Sequence, residues 1–554
     1  MKLSPLLIAV CCAACAQPSN RFDLIVRGGE VVDGTGSLPR RADVGVIGDR
    51  ITAVGDLGSA TAGRVIDATG LMVAPGFIDV QGQSGTTLLA DGNGESHIRQ
   101  GITSEIIGEG GSPAFWTAAD AADAEALQPF GITVDWTGFS GYFNRLSQSG
   151  TTVNVGTFVP ATQVRRNIIG MDNRPPTEDE LTRMTAMVDQ AMRDGAFGLS
   201  SALIYVPGSF ARTDELVALA KAAAKHKGIY ISHIRGESFN LLTALDEAIS
   251  IGREAGLPVV IFHLKVAAKA HWGRMNEAVD KIQKANASGA RVSATMYPYA
   301  AGGTGLSATL PLWVQEGGRE KMLERLNDPA TRARARKEIE TKIDGWENLL
   351  MAATFEGIQV ASVPRDFDQS IVGKRISQIA AERKADVWET YFQLLIASGG
   401  RIGALYHMMS EADVATGLQA PFVTIGTDSS ALRSEGILAR GSPHPRSYGT
   451  FPRVLGKYVR DDKVLSLHEA VHRMTGAAAA QMGLRDRGLV RERNFADLVV
   501  FNPATVKDTA TYEQPHQYPV GIEHVIVNGV PVVDPKGLTG ARPGRPLYGP
   551  ARQP

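Results

Sequence analysis

Cysteine is almost absent from this chain. Of 554 residues only 3 are Cys, and Cys11, Cys12 and Cys15 all fall within the first fifteen. Everything after Cys15 is therefore without a disulfide framework, a cysteine-rich zinc site or a thiol nucleophile. Positive charge is not in excess either: 57 Lys+Arg stand against 58 Asp+Glu, a net charge of −1. A chain with no cationic surplus to neutralise phosphates argues against a nucleic-acid partner. Beyond the leader no apolar run approaches the ~18 residues that span a bilayer, so no membrane span is expected. Low-complexity tracts are missing as well, and the Gly 60 and Pro 28 are scattered, which points to many tight loops between short elements. The 44% hydrophobic and 21% charged content is that of an ordinary globular protein. The length fits roughly two to four domains, or one large barrel with attachments.

The N-terminus has the layout of a short secretory signal. Lys2 is followed by an apolar stretch, Leu6 to Val10, and then by small residues. Two cleavage readings compete for segment 1–16. Ala14-Cys15-Ala16 forms an A-x-A site with cutting before Gln17. Cys12-Ala13-Ala14-Cys15 resembles a lipobox that makes Cys15 the lipidated first residue, with Cys12 where Leu is usual. Both imply an exported protein, periplasmic or secreted, and the second adds a lipid anchor. A frayed cytoplasmic N-terminus is the competing reading.

Residues 22–73 hold short β-like segments such as Leu24-Ile25-Val26 and Ile51-Thr52-Ala53-Val54, divided by turn residues such as Asp33-Gly34-Thr35-Gly36. Residues 485–547 repeat the texture. Closely spaced short strands at both ends indicate a β-sandwich built from both termini. Between them the rhythm changes to helices alternating with short apolar runs. Thr177 with Glu180 forms a capping box that opens a helix ended by Gly195. Further helices over Thr213–Lys227, Leu241–Ala255 and Asn276–Ala287 each lead into an apolar run. With runs near 74–81, 102–108, 152–158 and 422–428 the strands number eight, the pattern of an α/β (β/α)₈ TIM-type barrel over 74–303 and 366–484. Residues 304–365 are too long for one connection and read as an inserted helical lid or subdomain.

A barrel of this kind carries its chemistry at the C-terminal ends of its strands. There the sequence supplies Gln81 and Gln83, Glu109, His233 with Arg235 and Glu237, His263 with Lys265, Tyr297, and Asp428, with His444-Pro445-Arg446 just beyond. A lone histidine at a strand end is usually structural; two on successive strands with a carboxylate closing the barrel favour a metal. Neutral imidazoles suit Zn²⁺, which keeps one position open in catalytic sites. His233 and His263 are the candidate ligands. Glu109 is either a third ligand or a loop carboxylate paired with an arginine. Asp428 is the candidate acid/base. Lys265 and Arg446 call for an anionic group on the substrate, and an arginine can bind both oxygens of a carboxylate.

Several runs resemble the amidohydrolase superfamily and, within it, the N-acyl-D-amino-acid deacylases (D-aminoacylases), over nearly the whole chain after the leader. They are Ala74–Val80, Gly198–Ser201 with Tyr205–Gly208, His233–Glu237, Phe262–Lys265, Tyr297–Tyr299 and, most specifically, His444–Gly456. The resemblance implies a barrel with a β-sandwich and hydrolysis of an N-acyl amide, a C–N bond. It also implies a zinc centre held by His233 and His263, with Asp428 as catalytic acid/base. Lys265, Tyr297 and Arg446 would hold the substrate carboxylate, with Tyr205 beside them. Three positions depart from the pattern. Gln81-Gly82-Gln83 stands where the family has His-x-His for a second metal, so one zinc ion per chain is expected. Gly110 stands where the family has a ligating cysteine, with Glu109 one residue before it. Gly303, beside Thr304, replaces a substrate-binding serine.

The leading expectation is a zinc-dependent amidohydrolase acting on N-acyl-D-amino acids or similar small molecules with a free carboxylate. Hydrolysis of dipeptides or cyclic amides on the same scaffold is the alternative that the Gly303 change and the insertion motivate. A metal-free pseudoenzyme with a binding role is the alternative that the two glutamines motivate. No feature of the sequence assigns an oligomeric state.

Overall fold

The structure, a computed structural model, describes residues 21–117, 120, 124–125, 127–342 and 344–552. Segment 1–16, with its cleavage sites and all three cysteines, lies outside the described residues. Eight parallel strands form the centre: β1 (Phe77–Asp79), β2 (Ile102–Ile107), β3 (Asn154–Thr157, resumed as Val159–Pro160), β4 (Gly198–Ala202), β5 (Ile229–His233), β6 (Val259–Ile261), β7 (Val292–Met296) and β8 (Val423–Ile425). Each pairs in parallel with its sequence neighbour. The ring closes between β8 and β1, where the Asp428 N–H donates to the Gln81 carbonyl (2.9 Å) and the Gln83 N–H to that of Ser429 (2.8 Å). The result is a (β/α)₈ barrel. Strands buried on both faces favour continuous apolar runs, and β6, Val259-Val260-Ile261, is buried at every position. Ile78, Ile106, Phe158, Phe197, Ile231, Val260 and Phe262 form one cluster of the core.

The helices between strands are set by their ends. Helix α1 (Glu178–Asp194) starts on a reciprocal capping box between Thr177 and Glu180 and stops at Gly195, whose φ of 115° is left-handed. Helices α2 (Thr213–Ala224), α3 (Leu241–Ala255) and α4 (Met275–Ala287) follow. Among the described residues no helix is long and apolar enough to cross a membrane.

A sandwich flanks the barrel. Its four-stranded sheet holds Arg50–Gly55, Asp43–Ile47, Arg21–Arg27 and Thr61–Asp67 in that order. The facing seven-stranded sheet brings Leu498–Phe501 antiparallel to Met72–Pro75, so both ends of the chain share it. Leu24, Val26, Val44, Val73, Leu498 and Val500 are buried together in its core.

Two boundaries differ from those read in the sequence. The insertion does not end at 365: Gly403–Tyr406 is the central strand of its antiparallel sheet, between Gly302–Gly305 and Ile358–Ser362. Helices Ile376–Arg383 and Val387–Ala397 thus lie within this insertion's span of the chain and not in a barrel beginning at 366. The chain end also leaves the sandwich. Gly544 and Leu547 donate to the carbonyls of Thr151 and Val155 (2.8 Å each), and Leu547 joins the cluster of Ile78, Phe158 and Phe197. The tail is therefore expected to plug the barrel end opposite the strand C-termini. Leu547→Ala should cost about 2–5 kcal/mol, read as a fall in the guanidinium unfolding midpoint; an unchanged midpoint would show the tail to be dispensable.

Candidate active site and metal centre

Strand ends and two local backbone features aim the side chains. β2 stops at Gly108, whose φ is 100° and whose added Cβ would lie 2.8 Å from Thr157 Oγ1 and 3.0 Å from the Phe158 carbonyl. Only glycine takes that turn, and the next residue, Glu109, is thrown into the barrel mouth. The Ser200 hydroxyl donates to the Gly108 carbonyl and pins the turn. His263 and Asp428 follow β6 and β8 with φ of 38° and 49°. Left-handed backbone at non-glycine residues persists only where the surroundings impose it. At His263 the Thr295 hydroxyl does so, accepting the His263 N–H at 2.7 Å.

Glu109, His233 and His263 converge. All three are buried, and their ligand atoms lie within 4.8 Å of one another. Glu109 Oε1 faces Nδ1 of His233 at 3.0 Å and Nε2 of His263 at 3.3 Å. Its other oxygen, Oε2, accepts from Nε2 of Gln81 (3.1 Å) and of Gln83 (2.9 Å). A carboxylate can only accept, so each glutamine must turn its NH₂ toward it. The two share a face because they are two residues apart past a strand. Thr295 Oγ1 donates to Gln81 Oε1 at 2.6 Å and locks that amide. Burial pushes the Glu109 carboxyl up, but His263 and His233 outweigh burial and hold it well below the usual carboxylate range.

Glu237, four residues after His233, buttresses the opposite ring nitrogens. Its Oε1 is 2.9 Å from His263 Nδ1 and its Oε2 is 3.8 Å from His233 Nε2. Oε1 also accepts from Lys265 Nζ at 2.5 Å. The sequence reading placed Glu237 at a strand end and gave it no role; its place in the His233–Glu237 run was the available signal. Asp428 Oδ2 lies 2.7 Å from Arg446 Nη1, and the Arg446 guanidinium sits over the Tyr297 ring at 4.5 Å. Burial raises the Asp428 carboxyl and Arg446 opposes the rise; Glu109 adds to it.

These groups line one cavity of about 350 Å³. It brings together Glu109, His233, His263, Asp428, Lys265, Tyr297, Arg446, Tyr205 and Gln83; Gln81 lies behind the wall, Arg235 turns away to Glu247 and the carbonyls of Ser209 and Ala211, and His444 bonds the Ala301 carbonyl. Tyr205 packs against the His233 ring (5.4 Å) and meets the Thr304 hydroxyl. Leu349, Tyr406 and Met408 reach the cavity from the insertion and the residues after it, which the sequence pattern did not foretell. Gly303 leaves space: a Cβ there would stand 3.7 Å from Arg446 Nη2.

The donor set fits a metal. Two imidazole nitrogens and a carboxylate oxygen facing each other form the three-ligand set of a catalytic zinc, and Glu237 stands behind the His263 ring as a carboxylate behind a ligating histidine does. Charge agrees. Burial and Lys265 push the His263 ring down, yet Glu237, Glu109 and Asp428 raise it to about 9. A cation bound among these carboxylates would replace the proton on that ring, since a ligating imidazole is neutral.

Comparison with known proteins agrees with this architecture. The profile of the amidohydrolase family matches residues 403–533. The chain is 35% identical to the D-aminoacylase of Alcaligenes xylosoxydans xylosoxydans over 96% of its length and 98% of that protein. It is 34% identical to the N-acyl-D-aspartate deacylase of the same organism, with 95% of each covered. Its fold superposes on the crystal structure of N-acyl-D-glutamate deacylase from Bordetella bronchiseptica, complexed with zinc and a phosphonate mimic of the tetrahedral intermediate. There the TM-score is 0.78 and the identity 32%, over 95% of this chain and 100% of that one. With this identity over nearly its full length, the chain belongs to the D-aminoacylase family of amidohydrolases, amide hydrolases acting on C–N bonds.

Proposed function

We propose that the protein hydrolyses the amide bond of N-acyl-D-amino acids with neutral side chains, using a single zinc ion. The observation that carries this reading is the convergence of Glu109, His233 and His263 beside Asp428, Lys265 and Arg446 in one cavity. Zinc held by that triad would supply Lewis acidity toward the amide carbonyl and toward water. Glu109 offers it one oxygen, because the two glutamine amides occupy the other. That occupancy supports one ion rather than two.

The chain's own groups account for the remaining work. Asp428, at the cavity wall, takes the proton lost by the attacking water and returns it to the leaving nitrogen. Arg446 and Lys265 bind the substrate carboxylate, and the Tyr297 ring fixes the plane of the guanidinium. Among the described residues these are the only Lys or Arg side chains in the cavity wall, and each already faces a carboxylate: Lys265 faces Glu237 and Arg446 faces Asp428. A second substrate carboxylate would meet no cation of its own. The rest of the wall offers Ile204, Leu349, Tyr406 and Met408. This favours apolar D-residues over D-aspartate and D-glutamate, the residues in the names of two relatives.

A screen of N-acetyl-D-methionine and N-acetyl-D-leucine against N-acetyl-D-aspartate, N-acetyl-D-glutamate and the L-forms tests this. The neutral D-substrates should lead the acidic ones by about tenfold or more in kcat/KM. Preference for an acidic or an L-substrate, or for dipeptides, would contradict it. Asp428→Asn should lower kcat by roughly 10²–10⁴-fold with the fold intact; retained turnover would remove Asp428 from its role.

The leader pattern supports export to the periplasm or beyond, with Cys15 as lipid attachment point in one of the two readings. Mass spectrometry of the mature protein should find either Gln17 or a lipidated Cys15 at the N-terminus. A retained Met1 would contradict export by this route.

A further inference from the structure

One buried carboxylate near the site has no part in the chemistry above. Glu347 belongs to the insertion, immediately before its helix Leu349–Gly357, and is 3% exposed. It reaches across to the loop that follows β5. There its Oε2 accepts the Glu237 N–H at 3.0 Å. The loop accommodates it at Gly236, where a Cβ would stand 3.1 Å from Oε2. The side chain of Glu237 in turn holds Lys265 (2.5 Å) and His263 (2.9 Å).

The other end of the arm is fixed within the insertion. Asn348, the neighbour of Glu347, caps the following helix through Met351 N (3.0 Å). It also donates to the carbonyls of Ile339 and Lys342 (2.8 and 2.9 Å). Leu349, one residue further, lines the cavity. A rigid arm therefore runs from the insertion's helices through Glu347 to the backbone of Glu237, and from the Glu237 carboxylate to Lys265.

We infer that Glu347 is a positioning residue, a latch by which the docked insertion sets Glu237 and, through it, the Lys265 ammonium that receives the substrate carboxylate. The inference rests on the assignment of Lys265 to that carboxylate. An alternative role, simple support of the loop, would affect every substrate alike. Through the His263 ring, which Glu237 also touches, the latch changes kcat for both substrates alike, while its KM effect falls on the substrate that uses Lys265.

The test compares zinc-loaded protein with its Glu347→Ala and Glu347→Gln variants on N-acetyl-D-methionine and on its uncharged carboxamide. The alanine variant should raise KM for the carboxylate about tenfold, with kcat within about threefold and KM for the carboxamide within about twofold. Glutamine can keep an oxygen on the Glu237 amide, so it should move the values the same way by less. It supplies the reading if the alanine variant fails to fold. Equal KM changes for both substrates, or none, would overturn the latch. Hydrogen exchange at the Glu237 amide reads it without turnover: that amide should exchange faster in the alanine variant, and unchanged protection would overturn it. Failure of the unaltered protein to hydrolyse the carboxylate substrate would contradict the amidase reading, while the exchange measurement would still decide the latch.

Discussion

The carboxylate of Glu109 is the contact on which the site depends. A buried carboxylate costs several kcal/mol in lost hydration unless each oxygen finds partners. Here one oxygen takes two glutamine amides and the other faces two imidazoles. The groups that satisfy it come from the ends of β1, β5 and β6, so the barrel must close in register for Glu109 to be tolerated at all. Thr295 on β7 ties the arrangement together, accepting from the His263 backbone and donating to Gln81. The metal triad, the amides and the ring closure at Asp428 thus form one hydrogen-bonded unit. That intact donor set leaves a metal-free binding role without an observation in its favour.

Around this unit the charges are arranged in matched pairs: Lys265 with Glu237, and Arg446 with Asp428. Each cation is held in place before substrate arrives, so little ordering is left for binding to accomplish. The insertion completes the enclosure, since Leu349 and Tyr406 belong to it and Glu347 anchors it to the loop beside Lys265. The metal triad follows barrel strands, while Leu349 and Tyr406 reach the same cavity from the insertion.

Much of this was legible in the sequence, for identifiable reasons. The barrel strands are buried on both faces, which leaves apolar runs such as Val259-Val260-Ile261 that no loop tolerates. The Thr177–Glu180 capping box marked a helix start because its donors and acceptors are local. His233, His263 and Asp428 stood out because two histidines on successive strand ends with a carboxylate closing the barrel favour a metal, where a lone histidine would be structural. What stayed hidden depends on contacts between distant residues. Glu237 gains meaning only when β6, the strand after it, brings Lys265 and His263 to one of its oxygens. Gly403–Tyr406 is an ordinary short strand until it pairs between two others, and Leu547 is an ordinary leucine until it fills the barrel end. Gln81 and Gln83 were readable as replacements for histidine, but not as the donors that hold Glu109.

The central claim is that a cysteine-free site uses Glu109, with His233 and His263, to hold a single zinc ion. Anomalous diffraction at the zinc edge, from crystals of zinc-loaded protein, tests it most directly. The account predicts one anomalous peak per chain, about 2.0–2.2 Å from one Glu109 oxygen and from a nitrogen of each histidine, with Gln81 and Gln83 still donating to the other oxygen. A second peak bound by the glutamines, or a single peak with Glu109 turned away, would contradict it.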